Sequence, residues 1–257
     1  MNRLFLRYKK PEQIIYIGDR KVYLYRIRKG IPEKINSYDR DGGEVFFPIE
    51  MKKDLIRTDT GVVLNPGDFV FNLLSFDMIP FKKKEKYDLV NWRVEKLFPE
   101  KIDSYIHEFI QFGRNTILSV LVRRDLITSL ESEVSDLGVN LIYSGNSTIE
   151  IMNSIRSEKD RPDFFIESDG SIMLSVFFRS GIPVYIRKMR TGRGADVGRE
   201  IFKTVEYVEK NYDYSPRSCA VFSANGDNLG IQNELKEMKF KLIDHKRPDM
   251  RFLPGVK

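Results

Sequence analysis

The segment FFIESDGSIMLSVFFRSGIPVYIRK, residues 164–188, is built from apolar runs separated by two glycine-containing turns. Runs rich in Phe, Ile and Val, bounded by Gly, Ser and Asp, predict β-strands. We therefore expect a three-stranded meander with strands at Asp163–Glu167, Ser171–Phe178 and Pro183–Met189. Its first turn, Glu167-Ser168-Asp169-Gly170, combines carboxylates with a glycine. Such a turn can bind a metal ion or let backbone N–H groups approach a phosphate.

The residues after the meander predict an alternation of helix and strand. Val197–Tyr212 and Leu229–Met238 carry apolar residues at helical spacing. Ser218–Ser223 and Lys241–Ile243 are short apolar runs typical of strands. This alternation indicates an α/β fold.

The start of the chain repeats the order strand, glycine-containing turn, strand. Ile14–Ile17 and Val22–Arg28 flank the dipeptide Gly18-Asp19 and are expected to form a β-hairpin. Between this hairpin and the meander, further strands and helices are predicted at Glu44–Ile49, Val62–Leu64, Asp68–Phe76, Lys84–Phe98, Tyr105–Phe112, Thr116–Val122, Asp125–Leu137, Val139–Tyr143 and Thr148–Ile155. The shared order suggests a duplicated unit.

The charged stretch Arg156–Pro162 is typical of a linker between two lobes. We expect a first lobe at residues 1–155, with an inserted subdomain at about 62–144, and a second lobe at 163–245. A tail follows at residues 246–257.

The composition describes a globular protein of the reducing cytoplasm. The chain has 41% hydrophobic and 31% charged residues, and no window approaches the length of a membrane span. Residues 1–10 show no signal-peptide pattern. The single cysteine, Cys219, lies in an apolar run, which favours a buried, inert thiol and excludes a disulfide framework. The net charge of +6 comes from 43 basic and 37 acidic residues and mostly reflects a solvated surface.

Other chemistries find weak support in the sequence. The glycine-rich stretch Thr191–Gly198, with nearby Arg187 and Lys188, could bind an anion at a helix N-terminus, although a plain loop with a helix cap is the favoured interpretation. His107 and His245 lack partners at metal-ligand spacing. Acidic residues interrupt the two lysine runs, at Lys82–Lys84 and Lys236–Lys246, and no aromatic stacking motif accompanies them, so we expect no nucleic-acid role. The same lysines could instead contact an anionic inner membrane.

Four pieces of the chain, in order, resemble PilM of type IV pilus assembly and the cytoplasmic domain of GspL of type II secretion. Both belong to the actin-like ATPase superfamily. The pieces are Phe69–Pro99, which ends in Trp92-Arg93-Val94-Glu95-Lys96-Leu97-Phe98-Pro99, then Leu118–Leu141, Phe165–Gly192 and Ala220–Glu234. The resemblance implies an actin-like, ribonuclease H-like fold of two lobes, with a small extra subdomain in the first and a reduced second lobe.

The resemblance also locates the turns that hold ATP and a divalent metal in such ATPases. The first falls on Tyr16-Ile17-Gly18, where tyrosine replaces the metal-directed aspartate. The second falls on Glu167, Asp169 and Gly170, where the glycine is displaced by one position. The adenosine turn falls on Asn225 and Gly226, with one glycine instead of two. About seven residues between Gly192 and Arg199 replace a whole nucleotide-closing subdomain. We therefore interpret the turns as remnants and expect no bound cofactor.

Two functions remain open from the sequence. The leading one is a scaffold, cytoplasmic and peripheral to the inner membrane, that binds a PilN- or GspL-like inner-membrane protein. The alternative is an ATPase of the same machinery that binds ATP and Mg²⁺. A secretion ATPase and a second copy of the chain are further candidate partners.

The resemblance implies a peptide groove between the first lobe's main sheet and its extra subdomain. We expect this groove to be lined by Phe69, Phe71, Leu73 and Trp92. The resemblance implies that the partner contributes a stretch like Ile-Asn-Leu-Leu-Pro. The tail has a similar order of hydrophobic residues before a proline, with Met250, Phe252 and Leu253 ahead of Pro254. The tail is thus either a frayed terminus or a built-in copy of that segment.

Overall fold

A computed structural model of the chain describes residues 10–40, 46–98, 102–156, 160–170, 172–191, 196–223 and 229–243. The strands of this part are β1 (Gln13–Ile17), β2 (Lys21–Arg28), β3 (Ile31–Asp39), β4 (Asp59–Leu64), β5 (Phe69–Ser75), β6 (Tyr105–Phe112), β7 (Thr116–Arg123), β8 (Asn140–Asn146), β9 (Phe164–Asp169), β10 (Ile172–Arg179), β11 (Ile182–Arg190), β12 (Ser218–Ser223) and β13 (Lys241–Leu242). Its helices are α1 (Lys83–Leu97), α2 (Arg124–Asp136), α3 (Ser147–Arg156), α4 (Val197–Tyr212) and α5 (Leu229–Glu237).

The first sheet has the strand order β3-β2-β1-β4-β8. The predicted hairpin is confirmed, because β1 and β2 pair in antiparallel register with Ile17 opposite Val22. The strand β4 runs parallel to both β1 and β8. Every residue of β1 and β4 is buried. This matches the continuous apolar runs expected of strands covered on both faces.

The second sheet repeats this arrangement with the order β11-β10-β9-β12-β13. The predicted meander is confirmed, because β10 pairs antiparallel with both β9 and β11. The strand β12 runs parallel to both β9 and β13, as β4 runs parallel to β1 and β8 in the first sheet. The similar openings of the two regions thus produce two sheets of the same topology.

The third sheet has the order β5-β7-β6 and is antiparallel. Its three strands lie between β4 and β8 in the chain, and so do the helices α1 and α2. Successive side chains of its strands point to opposite faces of the sheet, and each face packs in a different apolar cluster. Leu74 packs in a cluster with Val90 and Val94 of α1, whereas Phe69 joins the main core. The exact bounds of the insertion and of the lobes stay predictions.

One hydrophobic cluster extends through both five-stranded sheets. Ile15 and Val63 of the first sheet share it with Phe165 and Val176 of the second. The opposite face of the second sheet, including Phe164, packs on α4 and α5 in a separate cluster. The two sheets are therefore joined by apolar contact, and the β1–β2 and β9–β10 turns lie at their interface.

In the first lobe one strand is missing from the prediction and one predicted strand is wrong. Strand β3 was not predicted because its sequence, IPEKINSYD, is largely exposed and polar, as expected of an edge strand. The strand expected at Glu44–Ile49 is replaced, within the described residues, by a bend and a 3₁₀-helix at Ile49–Lys53. The backbone N–H groups of Phe46 and Phe47 donate to the carboxylate of Glu133 instead of to a strand.

Candidate functional site

Two turns, β1–β2 and β9–β10, meet where the lobes face each other. In the first turn, the Gly18 N–H donates to the carbonyl oxygen of Lys21 at 2.8 Å. A Cβ atom at Gly18 would lie 2.8 Å from that oxygen and 2.9 Å from a carboxylate oxygen of Asp169. Only glycine fits this close approach.

Asp169 is the residue of the second turn that binds the first. Its Oδ2 atom accepts hydrogen bonds from the Tyr16 hydroxyl and from the Asp19 backbone N–H, both at 3.0 Å. Burial raises the pKa of Asp169 to about 6, and the two hydrogen bonds oppose this rise. One buried carboxylate thus links the two lobes.

Tyr16 occupies the position at which the resemblance places a metal-directed aspartate. Its side chain is 1% exposed. Burial, and then the charges of Asp169 and Glu167, raise the pKa of its hydroxyl well above the ordinary value. The hydroxyl therefore stays protonated and donates to Asp169. An ionised aspartate at position 16 would instead repel the Asp169 carboxylate.

Glu167, two residues before Asp169 on β9, forms a separate link between the lobes. The hydroxyls of Ser147 and Thr148 donate to its two oxygens, the latter at 2.6 Å. These residues open α3, so the carboxylate lies at a helix N-terminus, where the helix dipole favours a negative charge. Burial nevertheless raises the pKa of Glu167 to about 7, against the effect of the two hydroxyls. Sequence reasoning missed both hydroxyl residues, because nothing in their local pattern points to a partner in the other lobe.

Lys188 supplies a third link between the lobes. Its Nζ atom donates to the carbonyl oxygens of Gly67 at 2.9 Å and Phe69 at 2.7 Å. Burial has the largest effect on the pKa of Lys188 and lowers it. Its role could not be predicted because backbone carbonyl acceptors carry no residue-type signal.

The proposed anion site at the start of α4 is largely occupied by internal contacts. The Asp196 carboxylate caps the helix by accepting from the Arg199 N–H at 2.9 Å. Arg187 donates to Glu200 at 2.8 Å and to the Thr204 hydroxyl at 2.6 Å. These contacts favour the helix-cap interpretation, while residues 192–195 lie outside the described part of the chain.

The two turns are in direct contact. A Cβ atom at Gly18 would lie 2.9 Å from a carboxylate oxygen of Asp169, so this carboxylate occupies the space beside the first turn. The structure thus brings together Gly18, Asp169 and Gly170, with Glu167 directed to α3. Asn225 and Gly226 of the expected adenosine turn lie outside the described residues.

The residues expected to line the peptide groove lie on different sides of the three-stranded sheet, and which of them contacts a peptide stays a prediction. Phe69 is fully buried in the main core, and Phe71 and Leu73 pack against the same core while partly exposed. Trp92 lies on α1, which packs on the opposite face of the three-stranded sheet. It is 49% exposed, with Lys96 Nζ 3.9 Å from its ring centroid. Met250, Phe252 and Leu253 lie outside the described residues.

The histidine and the cysteine of the described residues are hydrogen-bonded or buried. The His107 ring nitrogens contact Asn91 Oδ1 at 2.9 Å and Ser119 Oγ at 3.0 Å, and burial lowers the pKa of His107 to about 4. Cys219 is fully buried, which raises the pKa of its thiol. No group of three or more His, Cys, Asp or Glu side chains in the described ranges is arranged to hold a metal ion. His245 lies outside those ranges.

Comparison with solved structures identifies the fold. The chain is similar to a PilM–PilN type IV pilus biogenesis complex, with a TM-score of 0.68 and 12% identity over 91% of this chain and 87% of that one. It is also similar to the cytoplasmic domain of EpsL, an inner-membrane component of the type II secretion system of Vibrio cholerae (TM-score 0.58, 10% identity, 82% and 81% covered). A third similar structure is a Bacteroides thetaiotaomicron protein with an actin-like ATPase fold and unknown function (TM-score 0.61, 9% identity, 95% of both chains covered). No protein-family model and no curated protein sequence matches the chain.

These similarities define the class of protein: the chain has the two-lobed actin-like ATPase fold. The fold expected from the resemblance is thereby confirmed. Among the helices in the described residues, none is both long enough and apolar enough to span a membrane.

Proposed function

We propose that the chain is a nucleotide-free scaffold of a type IV pilus or type II secretion assembly platform. The observation that carries this proposal is the direct bond between the two turns, in which Asp169 accepts from Tyr16 and Asp19. This bond occupies the place where the resemblance puts phosphates and metal. A fold shared with components of both machines supports the assignment to such a platform.

Three polar links support a closed arrangement of the lobes that needs no ligand. Asp169 binds the first turn, Glu167 binds the start of α3, and Lys188 binds the start of β5. Each link pairs a carboxyl or ammonium group of the second lobe with donors or acceptors of the first. These hydrogen bonds join the lobes without a bridging nucleotide.

The proposed partner is a PilN- or GspL-like inner-membrane protein, bound through its cytoplasmic segment. The similar PilM structure is a complex with PilN, which supports a partner of this kind. The scaffold would then act at the cytoplasmic face of the inner membrane. A secretion ATPase and a second copy of the chain are additional proposed partners.

Titration of the purified chain with ATP and Mg²⁺ is expected to give no binding heat up to millimolar nucleotide. The physical reason is that the Asp169 carboxylate fills the gap between the turns. Isothermal calorimetry measures this directly, and chromatography of the denatured protein tests for ADP carried through purification. Micromolar affinity, or copurified ADP, would instead support the ATPase alternative.

Substitution of Phe71 by alanine is expected to weaken capture of a PilN-like cytoplasmic segment by about tenfold. Phe71 is partly exposed on the face of the three-stranded sheet directed to the main core, where the groove is proposed. Trp92→Ala is the matched control, because Trp92 lies across the sheet on α1 and its loss should leave capture unchanged. Fluorescence anisotropy of a labelled segment measures both variants. Equal affinities for the two variants would place the binding site elsewhere.

The tail at 246–257 is tested in the same experiment. We propose that Met250, Phe252 and Leu253 form a built-in copy of the partner segment. Deletion of residues 250–257 should then strengthen capture of an added segment or lower the mass of any oligomer in solution. If capture and mass both stay unchanged, the tail has no such role.

A further inference from the structure

The loop between β5 and α1 exposes two large apolar side chains. Phe81 is 100% exposed and Met78 is 79% exposed. The neighbouring Ile79 is buried in the cluster of Leu74 and Val90, and Phe76 packs against the same cluster. The two inward residues fix the loop on the three-stranded sheet. The two outward residues therefore project into solvent as a consequence of the fold.

Large apolar side chains exposed close together can mark a contact with another molecule or with a membrane. Protein interfaces bury a contiguous apolar core, whereas here two side chains of one loop, Met78 and Phe81, are exposed; we call them the projection. Two apolar side chains on one loop can insert into the interfacial zone of a lipid bilayer, which adapts to their shape.

Three consecutive lysines follow the projection. Lys82, Lys83 and Lys84 are all exposed, and α1 begins among them. Lys82 pairs with Glu85 at 3.0 Å, a surface pair of small energetic weight. Lys83 and Lys84 lie on the exposed first turn of the helix. The apolar projection and a concentration of positive charge thus occupy one segment.

The positive charge continues beyond the loop. Lys86 donates to Gln111 at 2.6 Å, which brings the start of α1 against the β6–β7 turn that carries exposed Arg114. We define the basic belt as Lys82, Lys83, Lys84, Lys86 and Arg114. Acidic residues of the loop and the start of α1 are fewer, namely Asp77, Glu85 and Asp88.

We propose that this loop inserts Phe81 and Met78 into the interface of an anionic lipid bilayer, while the basic belt binds the lipid headgroups. An apolar anchor and a basic surface are the two signals that together give stable peripheral binding. The inference rests on the proposed function for its location beside an inner membrane. It adds the contact by which the scaffold itself touches the lipid.

Vesicle flotation tests the lipid requirement and the residues. The chain should bind vesicles of phosphatidylcholine mixed with phosphatidylglycerol, and should not bind phosphatidylcholine alone. Phe81→Ala is expected to weaken binding about tenfold, and so is the double variant Lys83→Gln/Lys84→Gln. Matched controls are Phe202→Ala, which removes an exposed phenylalanine of α4, and Lys52→Gln/Lys53→Gln, which removes two adjacent exposed lysines. Both controls should bind like the unmodified chain.

Insertion itself has a spectroscopic test. The chain contains one tryptophan, Trp92. In a Trp92→Phe background, Phe81→Trp should shift its emission to the blue on anionic vesicles and be quenched by lipids with brominated acyl chains. Several results would overturn the proposal: no vesicle binding, equal binding to neutral vesicles, binding without a blue shift, or loss of binding only in the lysine variant. The last would indicate a purely electrostatic surface for an acidic protein or nucleic acid. Nucleotide titration and segment capture need no lipid, so their outcomes remain separate from this one.

Discussion

Replacement of Tyr16 by aspartate is expected to destabilise the fold by about 5 kcal/mol, without creating an ATP site. The change restores the residue type that the resemblance expects at this position. It also removes a fully buried aromatic ring and places a second carboxylate beside Asp169. Loss of the ring and burial of an unpaired, like-charged group act in the same direction. Urea unfolding measures the stability, and calorimetry with ATP and Mg²⁺ measures binding.

Tyr16→Phe is the control for this experiment. It keeps the ring and removes only the hydroxyl that donates to Asp169, so a loss of about 1–3 kcal/mol is expected. If Tyr16→Asp were as stable as Tyr16→Phe, the two turns could not be in the tight contact described. If it bound ATP, the substitution at position 16 alone would account for the loss of the nucleotide.

Much of the fold follows from local sequence patterns. The runs that became β9 and β10 are apolar, bounded by turn residues and almost entirely buried in the structure, so pattern and environment agree. Strand β3 could not be predicted, because an exposed edge strand has no apolar signature. At residues 46–49 the error is the reverse, because an apolar pattern predicted a strand that the structure does not contain there. Its two phenylalanines are buried in a bend, and an apolar pair alone cannot distinguish a bend from a strand.

The candidate site was predictable only in part. Gly18 and Asp169 lie at predicted turns, because acidic and glycine residues between apolar runs identify turns directly. Glu167, predicted in the same turn as Asp169, instead lies in β9, where it pairs with Leu174. Glu167 and Asp169 are two positions apart on β9, so both project from the same face of the strand. Which of them reaches the first turn depends on how the sheets pack. Their donors, Tyr16 and the α3 hydroxyls, are far away in sequence and become partners only through that packing.

The stability of the chain is expected to fall by about 3 kcal/mol between pH 4.5 and about pH 8 through Glu167 alone. Burial raises the pKa of this group from 4.5 to about 7 in the folded state. The folded protein therefore holds the proton more tightly than the unfolded chain does. The resulting stabilisation is complete below the unfolded pKa and is lost as the pH rises through 7. Asp169, whose pKa is raised to about 6, contributes in the same direction at lower pH.

Glu167→Gln isolates the contribution of this one group. The amide copies the neutral carboxyl, and the hydroxyls of Ser147 and Thr148 can each donate or accept, so both contacts survive in neutral form. The variant should match the unmodified chain near pH 4.5 and exceed its stability by about 3 kcal/mol near pH 8. Urea unfolding across this range measures the difference, and Glu206→Gln, at an exposed position of α4, should show none. A difference that does not change with pH would mean that the α3 N-terminus and its hydroxyls fully offset the cost of burying the charge. Glu167 would then be an ionised link between the lobes, not a neutral one.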